Sequence, residues 1–248
     1  MSCTVVIIGL IVVAIIVVLI IVFAAFRRPA HRQVDYFTST VDLTKPIGFS
    51  SAEESYERPI ILRGLLSPEL CQRIMERSID HLQLSATVGG RNSTIRNSLQ
   101  HWLDRDDPEI QQIYNLISEM YQIPIENGED LQVVRYKPGQ YYNEHHDACC
   151  DGGTSCSDFL KKGGNRILTV LIYLNDQFSD GETNFPNLNW KGRVAPGDAI
   201  LFHTLASNNQ CHPHALHAGM PVTSGEKWVC NLWFRERMIR PVTVRSSG

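Results

Sequence analysis

The stretch Asn127–Asp147, NGEDLQVVRYKPGQYYNEHHD, combines a strand pattern, a turn signal and a group of metal-binding side chains. Leu131–Tyr136 (LQVVRY) is rich in β-branched and aromatic residues, which is typical of a strand, and a Pro-Gly turn signal follows it. If the next segment is also extended, its side chains alternate between two faces. His145 and Asp147 then lie on one face and His146 on the other, so the stretch predicts a sheet protein with a His/Asp pair.

The chain after this stretch continues the strand pattern. Further short apolar segments read as strands, separated by Gly/Pro/Asn/Asp clusters: Ile167–Leu174, Ala199–Phe202 and Lys227–Phe234. Many short strands of this kind favour a sandwich or a jelly roll, that is, a double-stranded β-helix. The predicted fold is therefore mainly β with flanking helices.

Two helices are predicted before the strands. Ser67-Pro68-Glu69 and Asp107-Pro108-Glu109 each offer an N-cap, a first-turn proline and an early acid. Apolar residues then recur at helical spacing. The first stripe is Leu70, Cys71, Ile74, Met75, Ile79 and Leu82, and the second is Ile110, Ile113, Tyr114, Ile117 and Tyr121. We expect both stripes to pack against the sheet.

The N-terminal segment differs from the rest of the chain. Thr4–Phe26 contains no charged residue, and at about 1.5 Å per residue a helix of this length spans the roughly 30 Å hydrocarbon core of a bilayer. We therefore predict one transmembrane anchor in residues 1–28, a polar linker in residues 29–57 and a folded domain in residues 58–248. The arginines that follow the span favour a cytoplasmic domain, whereas seven cysteines and a sequon at Asn92 favour a lumenal one.

Composition excludes some classes of function. The 248 residues carry a formal net charge of −3 and no block of Lys/Arg. A nucleic-acid partner is therefore not expected, because such proteins usually display a basic patch. The G-x-S-x-G motif of serine hydrolases is also absent.

The cluster after Tyr141 allows two kinds of metal site. Structural zinc sites usually contain cysteine pairs separated by two to four residues, but Cys149 and Cys150 are adjacent and the chain contains no C-x-x-C. A non-heme Fe(II) site needs a His/carboxylate pair and one distant histidine, which leaves three coordination positions open. The pattern favours iron over zinc.

Spacing does not choose the third iron ligand. The candidates are His203, His212, His214 and His217. Lys227 begins a predicted strand ten residues after the last of them, and its side chain would face the interior together with Val229, Asn231 and Trp233. A buried lysine needs an anionic partner, such as a carboxylate of a small cosubstrate.

A resemblance is carried by several motifs beyond these residues. In chain order they are RNSLQHWL (Arg96–Leu103), the opening stretch, NRILTVLIYLND (Asn165–Asp176), GETNFP (Gly181–Pro186), PGDAILF (Pro196–Phe202) and LHAGMPVTSGEKW (Leu216–Trp228). Together they make the chain similar to the prolyl 4-hydroxylase catalytic domain of the Fe(II)/2-oxoglutarate-dependent dioxygenases. The resemblance covers about residues 59–237.

The resemblance implies a role for nine residues. The implied iron ligands are His145, Asp147 and His217. The implied 2-oxoglutarate contacts are Lys227, which pairs with the distal carboxylate, Tyr136 and Thr169. The residues implied to face a peptide are Arg96, Tyr142 and Trp233. Lys227 is thereby implied in catalysis together with the iron ligands.

The implied activity is hydroxylation of peptidyl proline to 4-hydroxyproline, with decarboxylation of 2-oxoglutarate to succinate and CO2. O2 would be the second cosubstrate and ascorbate the reductant. The resemblance favours the endoplasmic reticulum membrane with a lumenal catalytic domain. Two alternatives stay open: the same chemistry on another peptidyl residue such as lysine, and a non-catalytic metal-binding jelly-roll module. The oligomeric state stays open as well.

The chain departs from the family pattern beside the iron. His146 stands where the family commonly has an aromatic residue, and Ala148–Cys156 is a cysteine-rich loop. A free thiol near Fe(II) would be prone to oxidation. We therefore expect Cys149, Cys150 and Cys156 to form disulfides with each other or with Cys211.

Overall fold

The computed structural model describes residues 34–36, 58–87, 90, 92 and 94–241. The predicted membrane anchor and most of the predicted linker lie outside these residues. Across the described ranges no helix has both the length and the apolar character needed to cross a bilayer. The anchor therefore stays a prediction from the sequence.

Both predicted N-terminal helices form with the predicted caps. Helix α1 spans Pro68–Ser78 and helix α2 spans Pro108–Tyr121. Ser67 Oγ accepts a hydrogen bond from the Leu70 N–H at 3.2 Å, and the Asp107 carboxylate accepts one from the Glu109 N–H at 3.0 Å. These bonds satisfy amide donors that have no partner inside the helix.

One residue of the first predicted stripe is misplaced. Helix α1 ends at Ser78, and the chain continues as a 3-10 turn over Ile79–His81. Ile79 is 50% exposed, so half of its side chain faces solvent. The prediction that Ile79 belongs to the packing stripe is therefore wrong.

The strands within the described residues form a large sheet, a small sheet and a two-stranded ribbon. Their bounds are β1 Val34–Tyr36, β2 Ile60–Leu62, β3 Gln83–Leu84, β4 Leu99–Leu103, β5 Leu131–Tyr136, β6 Tyr142–His145, β7 Arg166–Tyr173, β8 Phe178–Asp180, β9 Thr183–Phe185, β10 Trp190–Gly192, β11 Ala199–His203, β12 His217–Gly219, β13 Val222–Gly225 and β14 Lys227–Arg235. The large sheet has the order β1-β2-β11-β7-β14-β5-β4-β3, the small sheet β10-β9-β12-β6 and the ribbon β13-β8. The mainly β architecture agrees with the predicted jelly roll, and β1 lies within the predicted linker.

The large sheet buries a different set of side chains on each face. One face packs against α1 and α2 through residues such as Ile74, Ile113, Val170 and Leu232. The other face lies inside the fold with residues from the small sheet, such as Phe185. This second, inner face carries the polar residues that matter for function.

A third helix, α3, spans Thr154–Lys161 between β6 and β7. The sequence interpretation treated Ala148–Cys156 as a loop and did not predict this helix. Cys156 is its one buried residue. Distant contacts hold it: a disulfide from Cys149, and a hydrogen bond from the Arg235 guanidinium to the Phe159 carbonyl at 2.9 Å.

Candidate active site

Two antiparallel strands of the small sheet bring three metal-binding side chains together. His145 ends β6 and His217 begins β12, and the two residues are directly paired in the strand register. Asp147 follows two residues after β6. One donor atom from each of the three side chains lies within 4.8 Å of the others. Of the four candidate histidines, His217 is the one that joins the His/Asp pair.

Backbone carbonyls orient both imidazole rings. His145 Nδ1 lies 2.7 Å from the Asn143 carbonyl oxygen, and His217 Nδ1 lies 2.9 Å from that of Ala215. A proton on each Nδ1 would donate to these carbonyls and leave Nε2 as the metal donor. The two Nε2 atoms lie 3.7 Å and 3.8 Å from Asp147 oxygens. All three donors therefore point at one position.

Protonation states suit a metal site. Burial lowers the pKa of His145 well below its ordinary value, so the ring is neutral. Burial opposes ionisation of Asp147, yet the nearby Arg166 charge and a hydrogen bond from Thr169 help to hold its pKa well below the ordinary value. Two imidazole nitrogens and one carboxylate form the donor set of non-heme Fe(II) oxygenases.

Thr169 contacts the metal-binding carboxylate. Its hydroxyl donates a hydrogen bond to Asp147 Oδ2 at 2.8 Å, and both residues are buried. The sequence interpretation had placed Thr169 beside the cosubstrate. Among the residues that line the inner cavity is Thr183, whose hydroxyl lies 2.8 Å from the Tyr173 hydroxyl. Thr183 belongs to the GETNFP motif, and this motif is the sequence feature from which a role for Thr183 could have been predicted.

Lys227 occupies the same enclosed cavity as the three metal-binding residues. Its ammonium donates to the Gly181 carbonyl oxygen at 2.7 Å, and its side chain is buried. Burial lowers the pKa of Lys227 to about 7, partly offset by Glu182. Tyr136, paired with Lys227 in the strand register, also lines this cavity. A dicarboxylate that binds a metal at one end and Lys227 at the other fits this donor set.

A wider cleft of about 680 Å³ opens beside the inner cavity. Its polar and aromatic lining includes Arg96, Trp102, Glu129, His146, Phe159 and Arg166. Tyr142, Asp147 and Trp233 line both the cleft and the inner cavity, so the metal position is reached from the cleft. The three residues expected to face a peptide, Arg96, Tyr142 and Trp233, all line the cleft.

Arg96 and Tyr142 form a stack on a metal-binding histidine. The Tyr142 ring lies parallel to His145 with centroids 3.5 Å apart, and the Arg96 guanidinium lies 4.6 Å from the other side of the Tyr142 ring. Arg96 is only 4% exposed, and it donates to Ser98 Oγ at 2.9 Å. Arg96 is therefore part of the cleft wall and does not act as a surface charge.

An ion-pair cluster in the cleft was missed from the sequence. Arg166 donates two hydrogen bonds to the Glu129 carboxylate, at 2.6 Å and 2.8 Å, and Arg235 donates a third at 2.8 Å. The Arg166 guanidinium also lies 3.4 Å from the centre of the Trp233 ring. Burial opposes the charge on Glu129, but the two arginines hold its pKa below the ordinary value. Because Glu129, Arg166 and Arg235 are far apart in the sequence, no local motif predicts that they pair.

The cysteines near the site are paired with each other. Disulfides join Cys149 to Cys156 and Cys150 to Cys211, which confirms the expected choice of partners. Sulfurs held in disulfides cannot act as thiolate ligands, so this loop does not support a structural zinc site. His146 lines the wider cleft and does not line the inner cavity.

Comparison with known proteins identifies the family. The sequence profile of the 2OG-Fe(II) oxygenase superfamily matches residues 131–235. A protein of Acanthamoeba polyphaga mimivirus that carries a provisional prolyl 4-hydroxylase name is 52% identical over 198 residues, which cover 79% of this chain and 82% of the relative. Prolyl 4-hydroxylase 1 of Arabidopsis thaliana is 36% identical over 201 residues, covering 73% of this chain and 69% of the relative. The chain belongs to the prolyl 4-hydroxylase family of 2OG-Fe(II) oxygenases.

A solved structure supports the same family assignment. The viral collagen prolyl hydroxylase from Paramecium Bursaria Chlorella virus-1, solved as a 2OG complex, aligns with a TM-score of 0.57 and 29% sequence identity. The alignment covers 74% of this chain and 98% of the viral hydroxylase. This prolyl 4-hydroxylase homologue is thus an oxidoreductase of the procollagen-proline dioxygenase kind, using Fe(II) and 2-oxoglutarate.

Proposed function

We propose that this enzyme hydroxylates proline residues of a peptide or protein at C4. In this proposal His145, Asp147 and His217 hold Fe(II), and Lys227 binds a carboxylate of 2-oxoglutarate. The observation that carries the proposal is the inner cavity, which contains the three metal-binding side chains and Lys227 and adjoins the wider cleft.

The bound iron, with 2-oxoglutarate and O2, supplies the chemistry that converts 2-oxoglutarate to succinate and CO2 and adds an oxygen atom to a C–H bond. His145, Asp147 and His217 would supply three of the metal's ligands and leave positions for the cosubstrates. Lys227 would orient the cosubstrate, because its buried ammonium donates to a neutral carbonyl at 2.7 Å and its charge can pair with a carboxylate. Thr169 would help to orient the Asp147 carboxylate towards the metal through its hydrogen bond to Oδ2.

The wider cleft would hold the peptide next to the metal. Trp102 and Trp233 lie with ring centroids 6.1 Å apart, and Trp102 is 39% exposed, so apolar ring surface is offered to a substrate. A proline ring suits such a surface, since it is apolar and carries no charge. The Glu129 carboxylate is already paired with Arg166 and Arg235, and is therefore a poor partner for a lysine substrate. These features favour proline over lysine.

The test is turnover of the purified chain with Fe(II), 2-oxoglutarate, ascorbate and proline-containing peptides. We expect succinate together with a peptide that gains one oxygen atom, located at proline C4 by fragmentation or amino-acid analysis. Collagen-like, Ser-Pro-rich and polyproline peptides should be compared with a lysine-containing peptide of the same length. Absence of hydroxyproline with all three proline peptides would refute the proline assignment.

We also propose that residues 1–28 anchor the enzyme in the endoplasmic reticulum membrane with a lumenal catalytic domain. The uncharged segment Thr4–Phe26 supports the anchor, and two disulfides support an oxidising compartment. Asn92 of the sequon is exposed. In a eukaryotic host we expect carbonate-resistant membrane association and a glycan that the Asn92→Gln variant lacks. Extraction by carbonate, or an unglycosylated chain, would contradict the anchor or the orientation respectively.

A further inference from the structure

Two adjacent cysteines follow the metal-binding segment and enter different disulfides. Cys149 pairs with Cys156 of α3, and Cys150 pairs with Cys211. Asp147 lies three residues before Cys150, and His217 lies six residues after Cys211. The second disulfide therefore joins the two chain segments that supply the metal ligands, which are otherwise seventy residues apart along the chain.

The segment between Cys211 and His217 connects the disulfide to the His217 imidazole. It forms a 3-10 turn over Pro213–Ala215, closed by a hydrogen bond from the Leu216 N–H to the Pro213 carbonyl at 3.1 Å. The Ala215 carbonyl at the end of this turn lies 2.9 Å from His217 Nδ1. Because the turn begins just after Cys211, holding Cys211 also holds the carbonyl that orients His217.

Only a short strand ladder pairs the segment that carries His145 with the segment that carries His217. Strand β6 has four residues and β12 has three, and the register shifts between His217 and Gly219. Strand β6 is also the end strand of the small sheet. A ladder this short is a limited direct connection between the two ligand segments, and the disulfide adds a covalent one.

We propose that Cys150 and Cys211 are positioning residues for the metal centre. Their disulfide holds Asp147 and His217 at the spacing at which both bind one ion. This inference rests on the metal centre assigned under the proposed function. Both cysteines are partly buried and neither lines the inner cavity, so they act through the ligands and not on the substrate.

The neighbouring disulfide has a different role, which makes it a matched control. Cys149–Cys156 holds α3, whose residues Asp158 and Phe159 line the wider cleft. The main chain of Cys149 is held independently by Asn165: its N–H donates to Oδ1 at 2.9 Å, and its carbonyl accepts from Nδ2 at 3.0 Å. Loss of this disulfide would therefore free α3 while the Cys150–Cys211 disulfide still joins the two ligand segments.

The experiment is a Co(II) titration of the purified full-length chain, followed by the visible absorption of the bound ion. We expect Cys150→Ser/Cys211→Ser to weaken Co(II) binding on the order of 10-fold, as changes around metal ligands commonly do. Cys149→Ser/Cys156→Ser should bind Co(II) like the parent but show a raised KM for the peptide. Circular dichroism at the titration temperature selects conditions in which all variants are folded.

The possible outcomes separate this inference from the proposed function. Binding that His145→Ala does not abolish would refute the metal centre itself. Parent-like affinity in folded Cys150→Ser/Cys211→Ser, or an equal loss in the control pair, would refute the positioning role alone. If the serine pair does not fold, Cys150→Val/Cys211→Ala replaces it, because apolar side chains fill the same space.

Discussion

The two faces of β14 differ in what they bury. Towards the helices the strand places Trp228, Cys230, Leu232 and Phe234, all of which belong to an apolar cluster. Towards the inside of the fold it places Lys227, Val229, Asn231 and Trp233, which line the inner cavity together with the metal-binding residues. Both sets follow the same two-residue alternation, so one strand serves two purposes.

The difference concerns free energy as well as position. Burial of apolar side chains on the helix side stabilises the fold. Burial of the Lys227 ammonium on the inner side opposes folding, since a charge loses its hydration, and this is the reason for its lowered pKa. Substitutions on the helix side should therefore change stability, and substitutions on the inner side should change binding and turnover.

The largest effect is expected from His217→Ala. With two protein ligands left, we expect metal binding and turnover to fall to background while the metal-free protein stays folded. Metal analysis and succinate release measure this. His203→Ala is the matched control, because His203 packs against Tyr121 with ring centroids 5.6 Å apart, outside the cavity. Equal losses in both variants would contradict the assignment of His217.

The helix side is tested by Leu232→Ala. Leu232 is fully buried in the apolar cluster, and its truncation should lower the free energy of unfolding by about 2–5 kcal/mol. Chemical denaturation measures the loss, and the KM for 2-oxoglutarate of the folded variant should not change. A large change in that KM would show that the two faces are not independent.

The inner side is tested by Lys227→Met, which keeps the volume and removes the charge. We expect the KM for 2-oxoglutarate to rise by about 30-fold or more, because one partner of a buried charge pair is lost. The metal-free protein should become more stable, since no ammonium is buried. A variant with normal KM would exclude Lys227 as the carboxylate partner.

The same substitution predicts a pH dependence. The pKa of Lys227 is lowered from 10.5 to about 7 on folding, so between these values the unfolded chain binds a proton that the folded chain does not. Rising pH therefore stabilises the parent through this window. The stability advantage of Lys227→Met should be greatest below about pH 7 and should shrink as the pH rises further. Unfolding curves of both proteins across this range measure it, and a constant advantage would contradict burial of the charge.

A smaller effect is expected from Thr169→Val, also on the inner side. Loss of the hydrogen bond to Asp147 should weaken metal binding by about 10-fold, whereas Thr169→Ser keeps the hydroxyl and should bind like the parent. Co(II) titration distinguishes the two variants. Equal affinity in both would show that the hydroxyl does not orient the carboxylate.

The smallest effect is expected from Ile79→Ala. This side chain follows α1 and is 50% exposed, so the free energy of unfolding should change by less than about 0.5 kcal/mol. Denaturant unfolding checks this against Ile74→Ala, whose side chain is fully buried and whose loss should be several times larger. Similar effects for both would mean that Ile79 does pack on the sheet.

Local and periodic features were determined by the sequence itself. The caps at Ser67 and Asp107 and the strand Leu131–Tyr136 formed as predicted. The alternation that turns Lys227 inward is likewise a property of consecutive residues. These features depend on residues within a few positions along the chain, so they can be predicted without the rest of the fold.

Only the tertiary structure decided which distant residues meet. Sequence spacing could not identify the third metal ligand among four histidines. It also could not predict that Thr169 contacts Asp147 or that Glu129 pairs with Arg166. It also left open which cysteine joins Cys150 and whether Thr154–Lys161 is helical. Each of these depends on contacts between segments far apart in the chain, whose proximity is set by how β6, β7, β12 and β14 assemble.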